Sequence, residues 1–430
     1  MVYSLNSHGL FVVFVILLLH HRFARTFSNG ARKSSAPPDR TYHVRVATNS
    51  STSARRHQWL KKQCPPLAAA AKLLPVFDVP KTMSAVVYRG PNDLRLETVP
   101  VPRIGRHELL VRVAVCGVCP TDIKKIHYGT VPPPRVFGHE TAGTIVKPGA
   151  GVTAFRPGDR VALHHHVPCL TCHYCQHQAY AQCATYKRTG ISAGFEPAGG
   201  GYAEYVRVMP FVLPGVVKIP AANTFAEGAM LEPVNTVLKA VRRLALLPGD
   251  IVLVAGQGPI GLMFTRLLQL VGMHVVATDL LAPRLKLAKK FGARSTLQIT
   301  GPAEAATAVI QRLTRQRGLD AAVIAVPSDD AVRQAQGWLR GGGQLMLFAH
   351  TKRGAATPLD LAAVCVDEKD LLGSYSSDFT LQKEVARLVF HRQLDVRGLI
   401  THQFPLAETA AAVHLAAHPT AESLKILVTQ

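Results

Sequence analysis

A glycine-rich turn between an apolar strand and a helix constrains this fold more than any other feature of the sequence. The run Ile251–Ala255 is wholly apolar, and the helix predicted after the turn covers Leu262–Leu270. A second predicted strand, His274–Thr278, is followed directly by Asp279. Further strands are predicted at Ala321–Val326 and Gln344–Phe348. Strands that alternate with helices in this way predict a parallel sheet with helices on both faces, and therefore an α/β fold.

The turn itself predicts a dinucleotide-binding site. Its residues are Gly256, Gln257, Gly258, Pro259, Ile260 and Gly261, in the order G-x-G-x-x-G. The glycines let the backbone approach a pyrophosphate, whose charge is stabilised by the N-terminus of the following helix. The carboxylate of Asp279 would accept hydrogen bonds from the adenosine ribose and repel a 2′-phosphate. We therefore expect NAD rather than NADP, although Arg284 would tolerate a phosphate, and an ordinary turn without a ligand is the alternative.

The part of the chain before this turn is rich in predicted strands. From Met83 to about Gly215, short alternating runs are separated by glycine and proline turns, which is typical of β-structure. These runs are Glu108–Val115, Gly143–Val146, Arg160–Leu163 and Tyr202–Val208. A predicted helix over Glu232–Leu246 marks the change to the α/β pattern. Near the C-terminus, a helix over Lys383–Phe390 and a strand over Leu424–Val428 are predicted.

The composition excludes several classes of protein. The 430 residues are 48% hydrophobic and 18% charged, which argues against intrinsic disorder. Eight cysteines are too sparse for a disulfide scaffold in a chain of this length. The longest apolar run, Leu10–Leu19, falls short of the ~20 residues that a membrane-spanning helix needs. A globular protein without a membrane span is therefore expected, in the cytoplasm.

The positive charge is unevenly distributed along the chain. The formal net charge is +22, and residues 1–82 hold 12 Lys and Arg against 2 acidic residues. We interpret residues 1–82 as an N-terminal extension without a fold, and we expect the functional protein to begin near Met83. Membrane association or export through this extension is the alternative to a cytoplasmic location. No recognition helix or aromatic-basic stripe accompanies the charge, so specific nucleic-acid binding is not expected.

A row of four cysteines predicts a metal site. Cys169, Cys172, Cys175 and Cys183 follow the spacing C-x2-C-x2-C-x7-C. Four thiolates on a short loop suit tetrahedral zinc, and a closed site of this type braces a loop without taking part in chemistry. Disulfides and an iron–sulfur cluster are the alternatives.

A second, open metal site is indicated by residues that are separated in the sequence. Cys119 follows a predicted strand, His139 and Glu140 stand in the segment Gly-His-Glu, and Glu232 precedes the α/β half. A thiolate, an imidazole and a carboxylate would make a mixed-ligand zinc site with one position open for substrate. Cys116 and Cys119 as a redox pair, and His139 as a buried structural histidine, are the alternatives.

Taken together, these motifs resemble those of zinc-dependent medium-chain dehydrogenases of the alcohol dehydrogenase superfamily, and most of all the polyol (sorbitol) and threonine dehydrogenase branch. The similarity extends from about Met83 to Gln430. It is carried by the segments around Cys119, His139 and Glu232, the four cysteines, the glycine turn, Pro157-Gly158-Asp159-Arg160-Val161 and Gly200-Gly201-Tyr202-Ala203-Glu204-Tyr205. The resemblance implies a β-rich GroES-like catalytic domain, formed by residues 83–238 and 376–430, with a zinc lobe at about 164–190. It implies a Rossmann domain at residues 239–375.

The resemblance also implies roles for single residues. Cys119 and His139 would bind the catalytic zinc, with Glu232 as a third ligand and Glu140 either a direct ligand or a neighbour of the ion. Asp122 would orient His139, and Cys116 would be a buried bystander. Zinc would act on the alcohol as a Lewis acid, Thr121 would pass its proton outward, and the hydride would go to the nicotinamide. Two zinc ions per chain and a homodimer or homotetramer are expected.

Two features do not fit the family pattern. The relay histidine expected five residues after Cys119 is replaced by Lys124, and His127 is the only nearby substitute. His164, His165 and His166 precede the four cysteines, and we interpret them as a structural cluster with satisfied hydrogen bonds. A strand that points alternate rings toward the cleft is the alternative.

The predicted function is oxidation of a secondary alcohol or polyol with NAD. A non-enzymatic zinc protein that senses NAD or binds nucleic acid is the alternative from another class. Within the enzyme class, threonine, simple alcohols and aldehydes are alternative substrates.

Overall fold

The computed structural model describes residues 77–164, 166–187, 199–301, 303–349, 354 and 356–430. Most of the predicted N-terminal extension and His165 lie outside the described residues. Strand β1 (Thr82–Gly90) begins one residue before Met83, where the β-rich part of the chain is predicted to begin.

A small antiparallel sheet opens the described part of the chain. Strand β1 pairs with β2 (Asp93–Pro100) on one side and with β4 (Arg135–Val136) on the other. Val86 of β1 also forms a hydrogen bond outside this sheet: its N–H donates to the carbonyl oxygen of Tyr202 at 2.8 Å. The strand predicted at Tyr202–Val208 therefore begins only at Tyr205, because its first residues contact β1.

A larger sheet combines residues from both ends of the described chain. Its path is β15-β16-β3-β5-β6-β8, and β7 pairs with β3. The strands are β3 (Leu109–Gly117), β5 (Glu140–Pro148), β6 (Arg160–Leu163), β7 (Tyr205–Val208), β8 (Val216–Lys218), β15 (Ile400–Pro405) and β16 (Lys425–Thr429). The last strand, β16, pairs antiparallel with β3 and aligns Leu427 with Gly117. The C-terminal segment thus returns to the β-rich part of the protein.

The third sheet is parallel throughout, as the alternating pattern predicts. Its order is β11-β10-β9-β12-β13-β14. The strands are β9 (Ile251–Ala255), β10 (His274–Asp279), β11 (Ser295–Gln298), β12 (Leu319–Ile324), β13 (Leu339–Leu347) and β14 (Asp370–Gly373). Strand β13 begins five residues before the predicted start at Gln344, because Leu339 already pairs with Leu319 of β12, and the register is interrupted between Leu339 and Gln344. This sheet and the β-rich part confirm the predicted α/β fold class.

The helices connect the strands and carry much of the apolar core. They are α1 (Pro120–Tyr128), α2 (His173–Gln176), α3 (Ala184–Lys187), α4 (Phe225–Ala229), α5 (Leu231–Arg242), α6 (Pro259–Leu270), α7 (Ala282–Lys290), α8 (Ala303–Leu313), α9 (Asp329–Trp338), α10 (Leu361–Val366), α11 (Gln382–Phe390) and α12 (Thr409–Ala417). Short 3-10 turns lie at Tyr180–Gln182, Pro210–Gly215, Phe379–Leu381, Arg397–Leu399 and Leu406–Glu408.

Helix α5 joins the β-rich part to the parallel sheet. Its buried residues Val234, Val237 and Leu238 belong to one core cluster with residues of β9 and α6, so the two halves share apolar contacts. Burial of side chains of this size contributes roughly 1.5–3 kcal/mol each. In the described part of the chain, no helix is both long enough and apolar enough to cross a membrane.

Candidate metal and cofactor sites

Three metal-donor side chains meet near the end of strand β3. The Sγ of Cys119, one ring nitrogen of His139 and one carboxylate oxygen of Glu140 all lie within 4.8 Å of one another. Cys119 caps the N-terminus of α1, two residues after the end of β3, and Glu140 begins β5. Because β3 and β5 pair with Gly117 opposite Glu140, the sheet register brings these distant segments together. We call Cys119, His139 and Glu140 the three-donor cluster.

Asp122 orients the imidazole of His139 through the ring nitrogen Nδ1. Its carboxylate is fully buried, and Oδ1 lies 3.1 Å from Nδ1 of His139. Burial disfavours the charged imidazole, but the Asp122 carboxylate and the neighbouring Cys119 outweigh it and hold the pKa of His139 well above its usual value. With Nδ1 directed at Asp122, Nε2 is the nitrogen that is left to bind an ion. This is the arrangement found behind metal-binding histidines.

Glu140 is paired with a lysine that the sequence does not reveal. Nζ of Lys425, on β16, forms an ion pair with Oε2 of Glu140 and donates to the carbonyl oxygen of Val118 at 3.0 Å. Burial raises the pKa of Glu140, and the charge of Lys425 opposes that rise. A Cβ at Gly117 would lie 1.8 Å from Oε2 of Glu140, so only glycine fits beside this pair. In the sequence, the only sign of this ion pair is the single lysine, Lys425, at the start of the apolar last strand.

Glu232 lies beside the three-donor cluster but is not part of it. It is the second residue of α5 and is buried. Its Oε1 is 3.5 Å from Nδ1 of His166, and the ring of His166 lies 6.1 Å from that of His139, centroid to centroid. The structure therefore places between Glu232 and the cluster a histidine that the sequence analysis interpreted as structural.

The other predicted residues near Cys119 have distinct environments. Thr121 is partly buried in the first turn of α1. Burial lowers the pKa of Lys124, and the nearby Cys119 opposes this effect, so Lys124 lies close to the cluster. His127 is exposed, with Nδ1 3.4 Å from Oδ1 of Asn92. Cys116 is fully buried, burial raises the pKa of its thiol to about 12, and it accepts a hydrogen bond from Thr141 at 3.4 Å.

His164 departs from the expected structural cluster with satisfied hydrogen bonds. Its ring is 1% exposed, yet neither ring nitrogen has a hydrogen-bond partner among the residues that the structure describes. Burial lowers the pKa of His164 to about 4, so the imidazole is neutral near pH 7. An unpaired neutral ring is less costly to bury than an imidazolium ion.

The four cysteines form a second cluster of donors. Their sulfur atoms all lie within 4.8 Å of one another, with Sγ–Sγ distances of 3.5 Å for Cys172–Cys175 and 3.9 Å for Cys169–Cys175. All four are free thiols. Hydrogen bonds from Thr171 and the Cys172 N–H lower the pKa of Cys169 to about 5, which favours the thiolate. Four sulfurs at this spacing fit a tetrahedral zinc ion, and we call residues 169–187 the four-cysteine lobe.

The glycine turn has the tight geometry that its sequence predicts. Gly256 has φ of +90°, and a Cβ at Gly261 would lie 1.7 Å from the carbonyl oxygen of Gly256. A Cβ at Gly258 would meet nothing within 4 Å, which leaves open space beside the turn. Pro259 and Ile260 begin α6; Pro259 has no N–H, so the N–H groups of Ile260 and Gly261 are the donors that can receive a phosphate.

Asp279 and Arg284, the two residues predicted to decide between NAD and NADP, make contacts with different parts of the protein. The carboxylate of Asp279 accepts hydrogen bonds from the N–H of Gln257 at 2.6 Å and of Leu281 at 2.9 Å. Asp279 is therefore fixed beside the glycine turn. The guanidinium of Arg284 instead donates to the carbonyl oxygen of Thr420 at 3.1 Å, which directs it toward the C-terminal segment.

Comparison with known proteins follows the same division of the chain. Residues 105–221 match the model of the alcohol dehydrogenase GroES-like domain, and residues 259–391 match that of zinc-binding dehydrogenases. Sorbitol dehydrogenase of Bacillus subtilis is 30% identical over 359 residues, which cover 81% of this chain and 98% of the relative. Human sorbitol dehydrogenase is 32% identical over 360 residues, covering 80% and 94%. A solved Sinorhizobium meliloti structure bound to NADP is 26% identical, with a TM-score of 0.72, and covers 82% of this chain and all of that one.

Proposed function

The chain belongs to the family of zinc-binding alcohol dehydrogenases, and on that premise we propose that it oxidises a secondary alcohol of a polyol with NAD. Membership makes it a zinc-dependent, NAD(P)-linked oxidoreductase that acts on a small alcohol. The polyol, the choice of NAD and the number of zinc ions are the proposal.

The observation that carries this proposal is the three-donor cluster with Asp122 behind His139. A thiol, an imidazole with one nitrogen already engaged and a carboxylate converge within 4.8 Å, which is the donor chemistry that zinc takes in open sites. When bound, zinc supplies a Lewis acid for the alcohol oxygen, and the nicotinamide supplies the hydride acceptor.

The residues of the chain then have separate tasks. Cys119 and His139 hold the ion, with Glu140 or Glu232 completing the set, and Asp122 keeps Nε2 of His139 directed at it. As the C–H hydride leaves the alcohol carbon, the hydroxyl proton passes to Thr121, whose hydroxyl both accepts and donates, and from there outward. The second zinc occupies the four-cysteine lobe and has a structural role.

The contacts around the glycine turn support NAD as the cofactor. Asp279 presents a carboxylate at the end of β10, where it would receive the ribose hydroxyls and repel a 2′-phosphate. Arg284, the residue that would tolerate such a phosphate, instead donates a hydrogen bond to the carbonyl oxygen of Thr420. The Sinorhizobium meliloti protein was solved with NADP, so the preference needs a direct comparison of the two cofactors.

A homo-oligomer and a cytoplasmic location belong to the same proposal. Strand β14 lies at one edge of the parallel sheet, and α10 before it exposes Leu361 by 70% and Val366 by 81%, which is typical of a surface covered by another copy. Four cysteines that bind zinc instead of pairing as disulfides suit a reducing compartment.

The experiment is a substrate panel on the full chain. Polyols, simple alcohols and 3-hydroxy amino acids are offered with NAD and with NADP, and reduced cofactor is followed by its absorbance. We expect the highest kcat/KM with a polyol and NAD. Faster turnover of a 3-hydroxy amino acid would replace the polyol by a threonine-like substrate. Absence of turnover on every alcohol, in protein shown to hold zinc, would favour a non-enzymatic role.

A further inference from the structure

His166 lies between the three-donor cluster and the four-cysteine lobe, and the proposed reaction assigns it no task. On one side, Nδ1 is 3.5 Å from Oε1 of Glu232 and 3.1 Å from Oγ of Ser377. On the other side, the ring stacks on Tyr186 with centroids 4.4 Å apart and planes inclined by only 9°. The imidazole of His166 is therefore stacked on the ring of Tyr186, while its Nδ1 edge faces the carboxylate of Glu232.

Tyr186 is itself fixed on the four-cysteine lobe. It follows Cys183 by three residues, is 3% exposed, and contacts Oγ of Ser376 through its hydroxyl. The same hydroxyl lies 3.5 Å from the carbonyl oxygen of Ser377. The ring that supports His166 thus cannot rotate away without breaking contacts to the segment after β14.

Glu232 needs such support because it is buried at 5% exposure. A buried carboxylate is oriented by protein groups rather than by bulk water, and its free energy depends on the donors it meets. With Oε1 3.5 Å from Nδ1 of His166, we expect Oε2 to be the oxygen that an ion would meet. Packing alone would not require a nitrogen at this edge of the ring.

From these contacts we infer that His166 is a positioning residue, which orients Glu232 for the zinc of the three-donor cluster and is itself oriented by Tyr186 of the four-cysteine lobe. This inference rests on the proposed function, since it assumes that zinc binds at the cluster. The inference also connects the two metal sites. Through Tyr186 and His166, the four-cysteine lobe would influence the affinity of the three-donor cluster for zinc.

Two substitutions at the same position separate the polar role from packing. His166→Phe keeps the ring that stacks on Tyr186 and removes Nδ1. His166→Asn removes the ring and keeps a side-chain nitrogen at about the distance of Nδ1 from the backbone. His418→Phe is the matched control, because His418 is an exposed histidine on the far C-terminal segment.

The readout is the affinity of the full chain for each of its zinc ions, measured by competition with a chromophoric chelator, together with thermal unfolding. Loss of a group that supports a metal ligand lowers affinity 10–100-fold in comparable sites. We expect His166→Phe to weaken one zinc by about this factor and to leave the other unchanged. We expect His166→Asn, which keeps the nitrogen but loses the stack on Tyr186, to weaken the same zinc ion less than His166→Phe does, and the control to remain unchanged.

Unchanged affinity for both ions in His166→Phe would overturn the inference. An equal loss in His166→Phe and His166→Asn would overturn it as well, because the nitrogen would then be irrelevant. The test does not depend on turnover. If wild-type protein binds two zinc ions but oxidises no alcohol, the proposed function fails while the zinc affinities still decide the role of His166.

Discussion

Oδ1 of Asp122 lies 3.1 Å from Nδ1 of His139, and both groups are buried. The contact joins helix α1 to the residue before β5, so it couples the position of Cys119 at the start of α1 to that of the imidazole. It also fixes which ring nitrogen faces the three-donor cluster.

Asp122→Asn should therefore impair the site without unfolding the protein. The amide keeps the size of the carboxylate and still accepts a hydrogen bond, but it removes the charge that stabilises the ring orientation. We expect kcat/KM to fall by about 10–100-fold and one zinc to bind more weakly. Steady-state kinetics and zinc titration measure this. Asp330→Asn, at an exposed carboxylate, is the control, and equal kinetics in the two variants would contradict the role of Asp122.

Lys425→Met should destabilise the fold, because it leaves the carboxylate of Glu140 buried without its cation. Breaking a buried ion pair from one side costs about 3–5 kcal/mol. We expect urea unfolding to show a loss of this order. Adding Glu140→Gln in the same chain removes the stranded charge, so the double variant should recover part of the stability. A double variant that is no more stable than Lys425→Met would show that the two side chains are not coupled.

The four-cysteine lobe should hold its own zinc ion. Cys183→Ser replaces one of four sulfur donors at a fully buried position. We expect zinc content to fall from about two ions per chain to about one, with a lower melting temperature, because a closed zinc site stabilises the loop that binds it. Cys365→Ser is the matched control at an exposed cysteine outside both clusters. Metal analysis of the two variants measures the zinc content. Two zinc ions per chain in Cys183→Ser would contradict a structural zinc site in the four-cysteine lobe.

Asp279 should set the cofactor preference. Asp279→Asn removes the negative charge that would bind ribose hydroxyls and repel a 2′-phosphate. Since hydrogen bonds to a charged group contribute about 1.5–3 kcal/mol, we expect kcat/KM with NAD to fall tenfold or more. The value with NADP should fall less or rise. Arg284→Gln should leave the preference unchanged, because Arg284 contacts Thr420 instead. A larger shift from Arg284→Gln than from Asp279→Asn would contradict this account.

Local patterns predicted the elements of the fold well where a segment is buried on both faces. The strands Ile251–Ala255 and Arg160–Leu163 have the bounds that their sequences predict. The predicted strand Tyr202–Val208 is shorter in the structure because Tyr202 contacts β1, a tertiary contact that periodicity does not report. Helix α5 ends at Arg242 rather than Leu246, since the last residues turn toward the loop before β9.

Only those residues of the candidate site that belong to a sequence motif could be predicted. The spacing of the four cysteines predicts a metal site, whereas the resemblance to the family implies the roles of Cys119 and His139 as metal ligands. Neither spacing nor resemblance reveals Lys425 and His166, because their roles come from neighbours that are far away in the sequence. Lys425 meets Glu140 through the pairing of the last strand with β3, and His166 meets Glu232 at the start of α5. Such contacts follow from the assembled fold.

The measurement that tests the central claim most directly compares Cys119→Ala with Cys116→Ala. The two cysteines are three residues apart, but only Cys119 belongs to the three-donor cluster. We predict that folded Cys119→Ala loses one zinc ion and its hydride transfer from alcohol to NAD, and that Cys116→Ala keeps both. Wild-type hydride transfer in Cys119→Ala, or an equal loss in both variants, would contradict a zinc site built on Cys119.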